Sequence, residues 1–469
     1  MTDGAKWIGS RRRGSESSLI ATLVLLAALV GVVSSLGAPL VPRIAIDTGV
    51  SLTAAQWSLT ITMLVGAMAT PLLGRLGDGR HRRAAILATA STVGAGCVLG
   101  ALPLGFAGLV VGRGLQGTAF GLVPMCVAVA REHLSAARTN LAVTFLSVTT
   151  IAGAGFGYPL SGLVATWGGV SAAYWCGALL CATVTALAWL VVPSATAGSR
   201  DMLDLCGALL LGLALVALLL GISHAPQWGW TSPRVLGLFA LSGVATIWWL
   251  RHERRVPDPL VELRLLRHVS VLLANALALL VGVGIYLMMS TVAFVLQAPE
   301  DVPNGLGGSV LLASSAMVPF SVSALVVSLS PSGIINQWIM LPVGCVAFVA
   351  AAINFAVNRN SVWSIFLTMA LCGIGAGGTF AAMPGLIVYS VPFDEVGSAI
   401  GFHQVLRTVG YSTGSALAGT VLAAWTPIGE SYPLATAYNA VAVLGLMVFV
   451  LALVVSLLPR LGPSESAAK

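Results

Sequence analysis

The stretch GRLGDGRHRR, Gly74 to Arg83, joins two long apolar runs and holds one acid, four arginines and a histidine in ten residues. A connector this short and this charged, between runs this apolar, is the pattern of a chain that crosses a membrane. The rest of the chain agrees, since its 469 residues are 57% hydrophobic and 8% charged, against roughly 25% charged in a soluble domain. Apolar runs of about 18 to 27 residues recur along its length, each able to cross a hydrocarbon core of about 30 Å as a helix. Backbone groups in lipid must be satisfied within their own segment and no alternating strand pattern occurs, so the spans are expected to be helices.

Counting the apolar runs between charged or Pro/Gly-rich breaks gives fourteen spans. They lie near 19–40, 56–74, 84–105, 106–130, 139–165, 170–192, 203–223, 233–250, 268–297, 307–330, 334–357, 361–390, 397–424 and 434–458. With a cytoplasmic N-terminus, 18 of the 23 Lys and Arg fall on the inner side. Three, Arg43, Arg234 and Arg359, fall outside, and Arg113 and Arg407 lie within spans. This positive-inside bias predicts a multi-pass protein of the cell membrane with both termini cytoplasmic. The first run is too long for a signal-peptide core and reads as a retained span. The seven cysteines all fall in expected spans without a CxxC or Cys/His cluster, so neither disulfides nor a metal site is expected. A net charge of +7 without a soluble basic patch gives no reason to expect nucleic acid. No cofactor is implied, no P-loop points to ATP, and no nucleophile/base pair within the spans points to an enzyme.

An internal repeat sharpens the architecture. In GRGLQGTAFGLVP, Gly112, Gly114, Gly117 and Thr118 recur as Gly373, Gly375, Gly378 and Thr379 of GIGAGGTFAAMP at a constant offset of 261, which sets Arg113 against Ile374. GFGYPLSG in span 5 is echoed more weakly by TVGYSTGSALAG in span 13. Two related halves with an extra pair between them fit the parallel repeats of secondary transporters. The expected fold is an all-α integral membrane protein of 14 transmembrane helices, two six-helix halves plus an inserted helix pair. Its expected divisions are a cytoplasmic tail (1–18), a first half (19–192), the inserted pair (193–250), a cytoplasmic amphipathic linker (251–267), a second half (268–458) and a second cytoplasmic tail (459–469). In the linker, Pro259 suits a first helical turn, and Leu260, Leu263 and Leu266 would form its apolar face.

These motifs together resemble the fourteen-spanner drug:proton antiporter branch of the major facilitator superfamily. Gly74, Leu76, Asp78, Arg82 and Arg83 match that superfamily's loop signature between spans 2 and 3, with His81 where the family has glycine. RGLQG, Arg113 to Gly117, resembles the span-4 signature, and GYPLSG, Gly157 to Gly162, the antiporter signature of span 5. There Tyr158 and Leu163 replace family glycines. PDPLVELRLLR, GSAIGFHQVLRTVGYSTGSALAG and the pairing of Pro39 and Pro42 with Gln56 and Trp57 are also similar to this branch. The resemblance implies a secondary active exporter of small organic molecules, proton-coupled, monomeric and in contact with membrane lipids. It also implies a conformational latch, in which Asp78 meets the N-terminal end of span 13 near Gly397 while Arg82 or Arg83 pairs with Glu132.

The candidate chemistry lies in the few polar residues within spans. Arg113 and Arg407 must face protein or a water-filled cavity, since a charge at a helix centre is costly in lipid. Arg113 is either a tie between span 4 and neighbouring carbonyls or a group that handles protons or substrate. His403, Arg407, Tyr411 and Ser415, spaced by four, share one face of span 13. That face is either a cavity wall or a set of interhelical bonds. His403 and Asp47 join Arg113 as candidates for proton coupling. Asn275, Tyr286, Gln297, Gln116, Ser34 and Ser35 are further cavity candidates, each with interhelical bonding as its alternative. Gly157, Pro159 and Gly162 are expected to shape span 5 by close packing and a bend. None of the 16 acids lies mid-span, which predicts a neutral, zwitterionic or anionic substrate. A non-transporting membrane scaffold or lipid-binding relative is the competing reading, supported by that lack of membrane acids.

Overall fold

The computed structural model describes residues 3–36, 40–50, 52–194, 204–257, 259–302, 304–329, 337–427 and 433–458. Pro39, the loop residues 330–336, the C-terminal tail 459–469 and the side chains of Ser34, Pro42, Gln56 and Tyr158 lie outside the described residues. The chain is helical, with no strand among the described residues, and divides into two compact units. The first comprises Met1–Ala208, Pro257–Val261 and Val391–Gly401, and the second Leu209–Val256, Glu262–Ser390 and Phe402–Lys469.

The first unit holds α1 (Asp3–Ser35), α2 (Val41–Thr48), α3 (Leu52–Asp78), α4 (Arg82–Ala101), α5 (Gly105–Gly117), α6 (Leu122–His133) and α7 (Ala136–Val191). A 3-10 turn, Thr118–Gly121, links α5 to α6, so the fourth expected span is one path in three pieces. The second holds most of α8 (Leu205–Trp228), α9 (Pro233–Glu253), α10 (Val269–Gln297), α11 (Val310–Ser315), α12 (Met317–Leu329), α13 (Gln337–Val357), α14 (Val362–Val388), α16 (Ala435–Leu457) and most of α15 (Val396–Ala424). Twelve helices among the described residues are long and apolar enough to cross a membrane. Two of the fourteen expected spans are helical without being among those twelve. They are 139–165 in the first arm of α7 and 397–424 in α15, where His403, Gln404 and Arg407 interrupt the apolar run.

Local chemistry explains where the helices begin and bend. Ser232 caps α9 by accepting from the Val235 amide, and Pro233 occupies the first helical position, where its missing N–H costs nothing. α7 stays helical through Pro159 and breaks at Gly169, whose φ of 71° suits a residue without a Cβ. The linker also departs from expectation. Instead of an amphipathic helix, residues 254–257 and 259–264 are irregular and only Leu265–Arg267 forms a 3-10 turn. Pro257 and Pro259 each disfavour the helical region for the residue before them, and Leu260 and Val261 are buried in the first unit instead of lying on a surface.

Lipid offers no hydrophobic driving force between helices, so small residues that admit close approach do the joining. In the first unit Arg113, Gly114 and Gly117 of α5 face α3, and Gly112 faces Gly96 of α4. In the second unit Gly373 and Gly377 of α14 face Phe320 and Ala324 of α12, while Gly375 and Gly378 face Phe348 and Gly344 of α13. The neighbours match at an offset of 260, one less than the glycine pattern suggests. Gly117 thus corresponds to Gly377, and the place of Arg113 is taken by Gly373, where a Cβ would overlap the Phe320 carbonyl.

Candidate functional site

The first cluster lies where α3 ends. At Gly74, α3 touches the start of α15 so closely that a Cβ on Gly74 or Gly397 would overlap the other's carbonyl oxygen. One turn later Asp78, 8% exposed, accepts hydrogen bonds from the Gly397 amide at 2.7 Å and the Ser398 amide at 2.9 Å. Both amides belong to the first turn of α15, whose N–H groups have no helical partner and carry the positive end of the helix dipole. These contacts hold Val391–Gly401 within the first unit. Beside them Arg75 Nη1 donates to Glu395 Oε2 at 2.9 Å, with side chains 5% and 4% exposed. Ser398 Oγ donates to the same carboxylate at 3.1 Å.

Arg82 closes a second ion pair. It donates to Glu132 at the end of α6 and to the Gly77 carbonyl, and reaches the Ala128 carbonyl at 3.4 Å. Arg83 instead donates to the Trp189 carbonyl at 2.6 Å, so Arg82 and not Arg83 is the partner of Glu132. Arg131 donates to the Val391 carbonyl at 3.0 Å and stands over the Phe393 ring. His81 is exposed before α4 and its side chain makes no capping bond. The carboxylates of Asp78, Glu395 and Glu132 are each met by donors, as burial of charge requires. The roles of Arg75, Glu395 and Arg131 escaped the sequence reading. The usable signal was local: Asp394 and Glu395 immediately precede a helix, where acids are favoured, and Arg75 shares a helix face with Asp78 three residues on.

A second set surrounds Arg113, 1% exposed in the middle of the first unit. Its Nε donates to the Ser58 carbonyl at 3.0 Å, and its Nη1 to the Val33 carbonyl at 2.9 Å and Gln116 Oε1 at 2.7 Å. Thr62 Oγ1 donates to the Arg113 carbonyl at 3.0 Å. These uncharged acceptors tie α5 to α1 and α3. Gly157 faces Ser35 so closely that a Cβ would overlap its Oγ, and Ser161 donates to the Ser35 carbonyl at 3.0 Å. Gly162, by contrast, has nothing within 4 Å of a Cβ position. Asp47 lies on α2, ion-paired with Arg43 at 2.8 Å near the surface.

The third set lies within the second unit, on α10, α14 and α15. Buried His403 Nδ1 lies 3.3 Å from Asn275 Oδ1, and its Nε2 has no hydrogen-bond partner. Arg407 stands over the Phe380 ring at 5.0 Å and the Tyr411 ring at 5.9 Å. Tyr411 stacks on Tyr286 with centroids 4.3 Å apart, and Ser290 donates to Ser415 at 3.4 Å. The stripe seen in the sequence thus meets a matching stripe on α10, and Gly282 and Gly410 let the two backbones approach. Gln297 turns back on its own helix, donating to the Ala293 carbonyl. Gln116 is fully buried with its Nε2 unpartnered.

Comparison with known proteins places this geometry. Residues 23–415 match the Major Facilitator Superfamily. The chain is 27% identical over 457 residues to the tetracenomycin C resistance and export protein of Streptomyces glaucescens, covering 95% of this chain and 80% of the relative. It is 28% identical over 384 residues to the multidrug resistance protein Stp of Mycobacterium tuberculosis, covering 79% and 69%. Among solved structures, the human organic anion transporter MFSD10 superposes with a TM-score of 0.64 at 15% identity, covering 94% and 99%, a likeness of fold. A family profile over most of the chain, relatives that are efflux transporters and a set of membrane-length helices describe a multi-pass transporter of small molecules and not an enzyme. The chain belongs to the Major Facilitator Superfamily.

Proposed function

We propose that this protein is a proton-coupled exporter of drug-like organic molecules, working by alternating access in the cell membrane. Secondary active transport follows from the family, and export from relatives whose names are those of resistance and efflux proteins. The observation that carries the mechanism is the seating of Asp78 on the first turn of α15. A carboxylate on two helix-terminal amides, with the Arg75–Glu395 pair beside it, is a junction that can form and release as a whole. In this reading Asp78, Arg82 and Glu132 form a latch, and its release frees Val391–Gly401 from the first unit.

The finer topology belongs to the same reading. Adding the first arm of α7 and α15 to the twelve apolar helices gives fourteen spans, with α8 and α9 as the inserted pair. The distribution of basic residues supports cytoplasmic termini, with the latch at the cytoplasmic end and Asp47 at the external end. In this reading the exporter acts as a monomer in contact with lipid. For coupling, His403 is the favoured carrier. If Nδ1–H donates to Asn275, the unpartnered Nε2 is a buried lone pair able to take a proton. Arg113, with its donors on uncharged acceptors, suits a structural tie.

Substrate counterflow in proteoliposomes, with and without a pH gradient, tests the proposal. Export coupled to protons requires exchange that the gradient accelerates, with the His403→Gln variant retaining exchange and losing the acceleration. Absence of exchange for any compound would leave the scaffold reading, and gradient dependence unchanged in His403→Gln would remove His403 as the carrier.

A further inference from the structure

Five arginines are buried among the described residues, and four of them have oxygen acceptors. Arg75 has Glu395, Arg82 has Glu132, Arg113 has the Val33 and Ser58 carbonyls, and Arg359 has Asn304 and the Ala356 carbonyl. Arg407, 7% exposed, has none among the described residues; its neighbours are the faces of Phe380 and Tyr411. Aromatic faces attract a guanidinium, but they leave its five N–H donors without acceptors. A permanently charged fork without a protein acceptor among the described residues suits an anionic partner.

The surroundings describe that partner. Accessibility rises along the α15 stripe from buried His403 through Arg407 to half-buried Tyr411 and exposed Ser415. On α10 it rises likewise from buried Asn275 to half-buried Tyr286 and Ser290. Arg407 therefore lies inward of the more accessible Tyr286–Tyr411 stack. None of the chain's 16 acids falls mid-span to supply a carboxylate from within. We infer that Arg407, with Phe380 and the Tyr286–Tyr411 pair, is the recognition site for an organic anion on a planar aromatic framework. The carboxylate or phenolate meets the guanidinium fork, and the ring lies against the tyrosines. This deepens the export reading by assigning its substrate class, and rests on it.

The test uses the full chain in lipid nanodiscs and equilibrium binding of 1-hydroxy-2-naphthoate. Its neutral isostere, 1-hydroxy-2-naphthamide, and the lipophilic cation tetraphenylphosphonium serve as comparisons. Wild type should prefer the naphthoate over the naphthamide by about tenfold or more, the scale of a charge-assisted contact. Arg407→Gln should abolish that preference while changing naphthamide binding less than about threefold. Arg407→Lys, which keeps the charge and loses the fork, should fall between, and Tyr286→Leu should weaken both ligands together. Equal binding of naphthoate and naphthamide to wild type overturns the inference without recourse to any variant, as does tetraphenylphosphonium binding more tightly than either. Counterflow of tetraphenylphosphonium without naphthoate binding would leave export standing and remove the anion assignment. Naphthoate binding that depends on Arg407, without counterflow of any compound, would do the reverse.

Discussion

Replacing Asp78 with asparagine removes one charge and little volume, so its effect isolates the electrostatics of the α3–α15 junction. In the native structure each carboxylate oxygen accepts from one amide of the α15 first turn, at 2.7 and 2.9 Å. Hydrogen bonds to a charged group contribute about 1.5–3 kcal/mol each, against about 1 kcal/mol for neutral ones. Asparagine can accept from one amide only; its own NH2 then faces the second N–H, donor against donor. The helix terminus adds up to about 2 kcal/mol for a partly buried anion, and asparagine is cheaper to desolvate, which offsets part of the loss. The net weakening is about 2–3 kcal/mol, a shift of roughly 30- to 150-fold in the latched-to-released ratio. Spin labels at exposed His81 and Phe393 report this ratio by double electron–electron resonance, in a background with exposed Cys176 and Cys206 replaced by serine. The wild type should show one dominant short distance and Asp78→Asn a substantial longer population, with counterflow depressed and the elution profile unchanged. An unaltered distance distribution with unaltered counterflow would refute the latch.

Three further outcomes are expected. Glu395→Gln or Arg75→Met alone leaves a buried charge uncompensated and should lower stability by about 3–5 kcal/mol, while the exchanged pair Arg75→Glu with Glu395→Arg should recover part of it, as read by thermal unfolding in detergent. Gly157→Ala must displace Ser35 and should cost about 1–3 kcal/mol, whereas Gly162→Ala, with open space around it, should be neutral or stabilising by up to about 1 kcal/mol on the same assay. Arg113→Lys, which cannot span the Ser58 and Val33 carbonyls with one fork, should lower the melting temperature and leave the pH-gradient dependence of any residual counterflow unchanged.

How much of this was legible in the sequence follows from the range of each interaction. Membrane crossing and helix class depend on residue type and short spacing, which a single chain displays, whereas the latch of Asp78, Arg82 and Glu132 was legible only through the resemblance of its loop motif to a known family. The choice between Arg82 and Arg83 depends on which face of α4 points inward, and only packing decides that. Glu395 lies 320 residues from Arg75, so nothing local pairs them. The linker misled because its leucines at helical spacing suggested a helix, while two prolines and the burial of Leu260 and Val261 in the first unit outweighed that pattern.

The repeat carries the same lesson further. Glycine identity aligns Gly112 with Gly373, but what each glycine touches aligns Arg113 with Gly373, a difference of one residue and hence about 100° of helix rotation. Glycines in a span record only that some neighbour approaches; the neighbour's direction is absent from the letter. With the register set by contacts, the first unit spends its arginine where the second brings two backbones together at Gly373 and Phe320. The second unit's own mid-helix arginine, Arg407, is on α15, against aromatic rings instead of carbonyls. A duplicated scaffold has thus put one buried arginine to joining its own helices, and set the other against aromatic rings with no protein acceptor among the described residues.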